Sequence, residues 1–303
     1  MRSAFLLLSS IALAVGCSAS NDTDLFGSGG EGGSGGSPGS GGGGAASSSS
    51  SGIDITVGAG GGGVGGGAGG GSNLIAEVYG HSPDELYRLD PTTKEVTVVG
   101  AFQGCSSVID IALDKDSNLY GTTFGGFYKI DKDTASCSLI AQGSYPNSLS
   151  FVPKGTVDPN VEALVGYNGS SYIRIDTVTG AVTSLGGSLP SGFSSSGDIV
   201  SVIGGPTYLT VVGSNCGDCI FEIDPANGTM IKNWGSVGYG AVYGLAFWAG
   251  AAYGFSNGGD LFEVKFANNA VTTTPIAIPG APLNLQFWGA GSTTSAPPIP
   301  IPE

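Results

Sequence analysis

The chain has 303 residues, of which 56 are glycine and only 11% are charged, with a formal net charge of −14. Charge of that sign leaves little cationic surface to neutralise phosphates, which argues against a nucleic-acid partner and reads instead as solubility. So much glycine is incompatible with one uniform globule and must be concentrated somewhere.

At the amino terminus Arg2 precedes an apolar run over residues 4–15, followed by Gly16 and Cys17. This is the layout of a signal peptide over 1–16, and the run is too short for the roughly 20 residues that span a bilayer. Ala14-Val15-Gly16-Cys17 resembles the lipobox of bacterial lipoproteins. That resemblance implies Cys17 as the lipidated first residue of the mature chain, and Ser18 after it implies the outer membrane or cell surface, with the membrane reached through the lipid anchor. A plain signal peptide cut near Gly16 or Ser18 is the alternative. Residues 17–72 form a Gly/Ser-rich disordered tether, having too little apolar surface to offset the entropy of ordering. A Gly-rich coil of this length spans roughly 40 Å. Residues 53–57 are β-like, but an isolated strand has nothing to pair with.

From 73 to 289 the sequence has no sustained 3.6-residue apolar period and many short runs of Val, Ile, Tyr, Phe and Thr bounded by turn residues, which predicts an all-β domain. Leu86-Tyr87-Arg88-Leu89-Asp90 has four relatives ending at Asp131, Asp176, Asp224 and Lys265, at intervals of 41, 45, 48 and 41 residues. A repeat of that length made of short strands predicts a β-propeller, here five-bladed. The aspartates are expected to cap turns, and Lys94, Ala135, Gly180, Gly228 and Asn269, each four residues beyond a repeat's end, to lie in those turns. Each later repeat is preceded by an apolar innermost strand, and the first has none. Residues 282–288 are expected to supply it, closing the ring with a C-terminal strand that completes the first blade and leaving 290–303 as a disordered tail.

Aligning the innermost strands gives a column of Asp110, Ser148, Asp198, Gly244 and Asn284 at one end of the channel. Hard oxygen donors of this kind suit Ca²⁺ or Mg²⁺, so Asp110, Asp198 and Asn284 are the candidate metal ligands; the plainer reading is a wet polar channel without a cofactor. The single histidine, His81, is followed by Ser82-Pro83-Asp84 and reads as a surface turn residue, which leaves no Ser-His-Asp site and no catalytic residue to name. Cys105, Cys137, Cys216 and Cys219 are an even number in an exported chain and predict two disulfides. Cys216 with Cys219 and Cys105 with Cys137 is the favoured pairing of the three that four cysteines allow.

The repeats at 86–93 and 173–180 resemble those of bacterial propellers of the YVTN, quinoprotein-like and gluconolactonase-like kind. Gluconolactonase-like enzymes hold a divalent ion in the channel, so the resemblance implies a metal-dependent hydrolase, lactonase-like, as one function. The other is a binding or interaction module, a monomer displayed at the surface that holds a protein or glycan. Its recognition loops are expected at 188–197 and 213–219, emerging on one face of the ring.

Overall fold

The computed structural model describes residues 76–278 and 281–300. The signal segment, Cys17, the tether with residues 53–57, and the start of the expected first strand lie outside the described residues. Within them, every regular element is a strand, and the strands form five four-stranded antiparallel sheets. Blade 2 comprises β4 (Val108–Leu113), β5 (Leu119–Thr123), β6 (Gly126–Ile130) and β7 (Cys137–Gln142). Blade 3 comprises β8 (Leu149–Val152), β9 (Ala163–Asn168), β10 (Ser171–Ile175) and β11 (Val182–Ser188). Blade 4 comprises β12 (Phe193–Ser201), β13 (Thr207–Gly213), β14 (Cys216–Ile223) and β15 (Met230–Ser236). Blade 5 comprises β16 (Val242–Trp248), β17 (Ala251–Ser256), β18 (Leu261–Ala267) and β19 (Ala270–Ile276). Blade 1 combines β1 (Val78–His81), β2 (Glu85–Leu89) and β3 (Val96–Ala101) with β20 (Gly289–Ser292) from the far end of the chain. The first strands β20, β4, β8, β12 and β16 adjoin in sequence around a central channel, so the fold is a closed five-bladed propeller.

The repeat read in the sequence is the third strand of each blade, and the turn after it follows from its aspartate. In blades 1 to 4 one carboxylate oxygen of Asp90, Asp131, Asp176 or Asp224 accepts the N–H two residues on at 2.8–3.0 Å. The same residue's carbonyl accepts the N–H four residues on at 2.7–2.8 Å. That closure puts Lys94, Ala135, Gly180 and Gly228 in the left-handed region, with φ of 65, 56, 71 and 70°. Gly180 and Gly228 meet this conformation without steric cost, whereas at the other two positions the turn's hydrogen bonds must hold a side-chain-bearing residue there.

The ring is closed from the C terminus, but by a later strand than residues 282–288. β20 pairs antiparallel with β1, Val78 facing Ser292 and His81 facing Gly289. The segment expected to form it lies outside the sheet, and Leu283 within it is 95% exposed. Packing density at the axis is the reason. A Cβ on Gly244 of β16 would stand 2.7 Å from the Gly289 carbonyl carbon and 2.8 Å from Ala290, and one on Gly291 would stand 3.0 Å from the Ile111 oxygen. Only the small residues Gly289, Ala290, Gly291 and Ser292 fit where neighbouring first strands come so close. Phe287, just before them, is buried between Tyr87 and Phe255 in edge-on contacts at 5.9 and 5.2 Å and anchors the strand's entry.

Residues 290–296 are buried and ordered into the fold, which corrects the expectation of a disordered tail from 290. Beyond β20 the chain crosses one end of the channel and touches every blade. Thr293 exchanges hydrogen bonds with the Glu77 backbone: its N–H donates to the Glu77 carbonyl at 3.1 Å, and its Oγ1 accepts the Glu77 N–H at 3.2 Å. Thr294 Oγ1 bonds the Glu162 carboxylate, its carbonyl accepts Ile203 N–H at 2.8 Å, and Ser295 Oγ donates to the Lys115 carbonyl. Pro298 and Pro300 lie against Gly205 and Gly250. The buried Glu77 carboxylate beside this plug is paired with Arg88 at 3.2 Å and Lys132 at 2.5 Å, the compensation a desolvated charge requires.

Both expected disulfides are present, Cys105 to Cys137 and Cys216 to Cys219, with Cα separations of 5.7 and 5.8 Å. The first ties the connection between blades 1 and 2 to the outer strand β7. The second lies within β14, at the tip of the β13–β14 hairpin.

Substituting Gly244→Ala should force the first strands of blades 5 and 1 apart and destabilise the fold by about 1–3 kcal/mol, the usual cost of overpacking. Thermal melting of the full chain checks this, with a midpoint several degrees below the parent expected.

Candidate functional site

Each first strand presents an unpaired backbone edge to the channel, and a buried N–H there must find an acceptor. At the end where these strands begin, Asp110 of β4 accepts its neighbour Ile111 N–H at 2.8 Å on one oxygen and Leu149 N–H of blade 3 at 2.7 Å on the other. Asp198 of β12 does the same with Ile199 and with Leu245 of blade 5, both at 2.7 Å, and is also approached by the Ala290 N–H of blade 1. Ser148, Gly244 and Gly289 hold the corresponding places in the other blades. The two aspartates therefore fasten blade 2 to 3 and blade 4 to 5 and 1.

The structure brings Asp110 and Asp198 together, as the sequence column implied, but not Asn284. That residue is exposed, adopts a left-handed backbone with φ of 64°, and lies in the excluded segment before β20 beside Leu285 and Gly259. Its place in the column is taken by Gly289, because the column position in the closing strand falls five residues later than expected. Among the described residues no group of three or more His, Cys, Asp or Glu side chains is placed to hold a metal ion. Asn284 therefore does not join the two aspartates in one set of donors, and each oxygen of both carboxylates accepts a backbone N–H. Burial raises the pKa of both carboxyls well above the usual carboxylate range, and Asp110 raises that of Asp198 further, while the backbone donors oppose the rise.

His81 is not a surface turn residue. It ends β1, is fully buried, and points toward the same layer: a Cβ on Gly289 would collide with both its Nε2 and Asp110 Oδ1. Its Nδ1 is 2.9 Å from the Ser82 carbonyl, which can only accept, so Nδ1 carries the proton and Nε2 bears a lone pair. Burial lowers its pKa to about 4. The signal that would have placed it is strand alternation, since His81 lies two residues after the buried Tyr79 and shares its face.

Above this layer the channel mouth opens into a cleft of about 500 Å³. Its walls are five aromatic rings, Phe124, Tyr145, Tyr167, Tyr243 and Trp288. The Tyr145 and Tyr167 hydroxyls donate away from the cleft to the Gly180 and Gly228 carbonyls, leaving their rings as wall. Phe124, on the β5–β6 turn, is 71% exposed, a large apolar surface that the fold itself does not use. Three amides, Asn147, Asn168 and Asn257, complete the rim, and among the described residues no charged side chain lines the cleft. His81 Nε2, Ser148 Oγ, Ser195 Oγ and Asn257 Oδ1 are buried at this same end without hydrogen-bond partners among the described residues. The segments 188–197 and 213–219 also lie here, but as structure more regular than loops: Phe193 to Ser195 pair with Val211 to Gly213, lengthening the blade 4 hairpin. Sequence reading missed the cleft because its rings come from turns of different blades that only ring closure assembles. A second cleft at the opposite end, between blades 2 and 3, is lined by charges of both signs, among them Asp114, Lys154, Glu162 and Arg174.

No protein family matches the chain, and no curated protein is similar to it. Solved structures to which it is similar include Kuenenia stuttgartiensis hydrazine synthase, at 14% identity and TM-score 0.38 over 64% of this chain and 60% of that one. The nidogen/laminin complex is similar at 10% identity and TM-score 0.45 over 72% and 98%, and Staphylococcus aureus virginiamycin B lyase at 16% and 0.36 over 65% and 64%. The chain thus spans less than two thirds of the hydrazine synthase and lyase chains. Likeness at this level carries no activity, substrate or partner to this protein.

The buried histidine makes stability pH-dependent. Because its folded pKa is depressed from 6.5 to about 4, the unfolded chain takes up a proton first, and stability present above pH 6.5 is lost as pH falls toward 4. The full shift corresponds to about 3 kcal/mol. Asp110 and Asp198, with raised values, act in the opposite sense, so the comparison that isolates His81 is with His81→Gln. Denaturant titrations at pH 7 and pH 4 should show a smaller acid loss in that variant than in the parent.

Proposed function

We propose that the protein is a binding module: a propeller head on a flexible tether, lipid-anchored through Cys17 at the outer membrane or cell surface, that holds its ligand in the cleft over the channel mouth. The observation that carries this is the asymmetry of the ring. One end is sealed by residues 293–300, and the other presents an uncharged aromatic cleft above buried polar atoms without partners among the described residues. A pocket of this size with apolar walls and few polar groups is the usual form of a ligand site. An exposed Phe124 and a lengthened hairpin beside it are surface that packing alone does not require. Supporting the anchor is the sequence pattern ending at Cys17, and supporting display away from the membrane is the Gly/Ser composition that follows it.

The anchor and the cleft are tested separately. Cys17→Ser should move the protein from the membrane fraction to the soluble fraction and abolish metabolic labelling with a fatty acid; unchanged partition and labelling would remove the anchor. A photo-cross-linker installed in place of Phe124 should give a saturable adduct in intact cells, whereas the same group in place of Val178, 82% exposed on the turn after β10, should not. Equal labelling at both positions would remove the cleft from the proposal.

A further inference from the structure

The cleft's chemistry narrows the ligand. In a chain of net charge −14, its lining contains no Asp, Glu, Lys or Arg among the described residues. An anionic ligand would meet an unfavourable field with no cation to offset it, and a cationic ligand would find no carboxylate at the surface. What the cleft offers is aromatic surface from Phe124, Tyr243 and Trp288, interleaved with the amides of Asn147, Asn168 and Asn257. An amide side chain carries both donors and an acceptor, so it can bond a hydroxyl in either role. The Asn257 amide lines the cleft, and its oxygen has no hydrogen-bond partner among the described residues.

A molecule whose broad faces are C–H and whose edges are hydroxyl fits that alternation. Pyranose rings have this construction: axial hydrogens on one face pack on an aromatic ring, and equatorial hydroxyls radiate toward flanking amides. Aromatic side chains supply such surface at low entropic cost, having only two rotatable bonds. A peptide would fill apolar pockets equally well, but its backbone is most readily held by strand addition along a run of free edge, and the cleft meets the first strands at single residues only, Ile109 of β4 and Tyr243 of β16. Resting on the binding-module reading above, we infer that the ligand is a neutral glycan, with Phe124 and Trp288 as the stacking surfaces and Asn147 and Asn257 as hydroxyl partners.

The test uses the full chain carrying Cys17→Ser, titrated calorimetrically with neutral oligosaccharides of glucose, xylose, mannose and N-acetylglucosamine, and with the polyanions alginate and heparin. Saturable binding to at least one neutral saccharide is expected, with quenching or enhancement of tryptophan fluorescence and no response to the polyanions. Phe124→Ala, whose exposed ring can be removed without disturbing the fold, should weaken that binding about tenfold or more at an unchanged melting temperature. Asn147→Ala should weaken it as well. The inference is overturned if none of the neutral saccharides binds saturably, if neither substitution alters binding, or if a polyanion binds more tightly. A polypeptide adduct from the cross-linker at position 124 would overturn the glycan and leave the binding module standing, and no specific adduct together with no saccharide binding would remove both.

Discussion

The ring stands on carboxylates that accept backbone N–H groups across blade boundaries. A propeller leaves the channel-side edge of every first strand unpaired, and each buried N–H on those edges would cost roughly 1–3 kcal/mol if left without an acceptor. Asp110 and Asp198 answer this at Leu149 and Leu245. The two aspartates are enough for several junctions because Asp198 also meets Ala290, drawing the closing strand into the same arrangement. Where no carboxylate stands, Gly244 and Gly289 let the first strands approach until their backbones touch. Acid side chains, a serine and glycines thus share one layer for a single reason, the geometry of five strands meeting at a narrow axis.

That layer also explains why two acidic residues in a channel need not be metal ligands. Each oxygen here directs a lone pair at an amide hydrogen, at 2.7–2.8 Å, which gives both carboxylates a structural role of their own. Desolvation raises the proton affinity of both groups, and their backbone donors oppose the rise. His81 completes the layer as a neutral imidazole whose tautomer is set by the Ser82 carbonyl.

Function then follows from the two ends of the ring being unlike. Residues 293–300 reach all five blades at one end through Glu77, Lys115, Glu162, Ile203 and the glycines Gly205 and Gly250. The mouth at the other end keeps its turns free, and those turns carry Phe124, Asn168 and Asn257 rather than packing residues. The same chain terminus that closes the first blade therefore also selects the face left open to a ligand.

Blade number, strand order within a blade and the aspartate turns were legible in the sequence because they depend on local rules: a repeat of 41 to 48 residues, period-2 alternation, and an aspartate that bonds its own turn. The cysteine pairs were legible for a similar reason, their parity and spacing. The closing strand was not, because residues 289–292 have neither β-branched side chains nor an apolar pattern, and their place is decided by how little room the neighbouring strands leave. The plug read as a tail because Ser, Thr and Pro look solvent-facing until Glu77 and Glu162 are brought beneath them. His81 read as a turn residue because Ser82-Pro83-Asp84 dominates the local signal, and the aromatic cleft could not be read at all. By itself the sequence determined the repeating β architecture, since that is written in interactions between residues near one another in the chain. Tertiary structure alone decided the closing strand, the role of the aspartates and the composition of the cleft, since each depends on which distant backbones and side chains share the few ångströms around the axis.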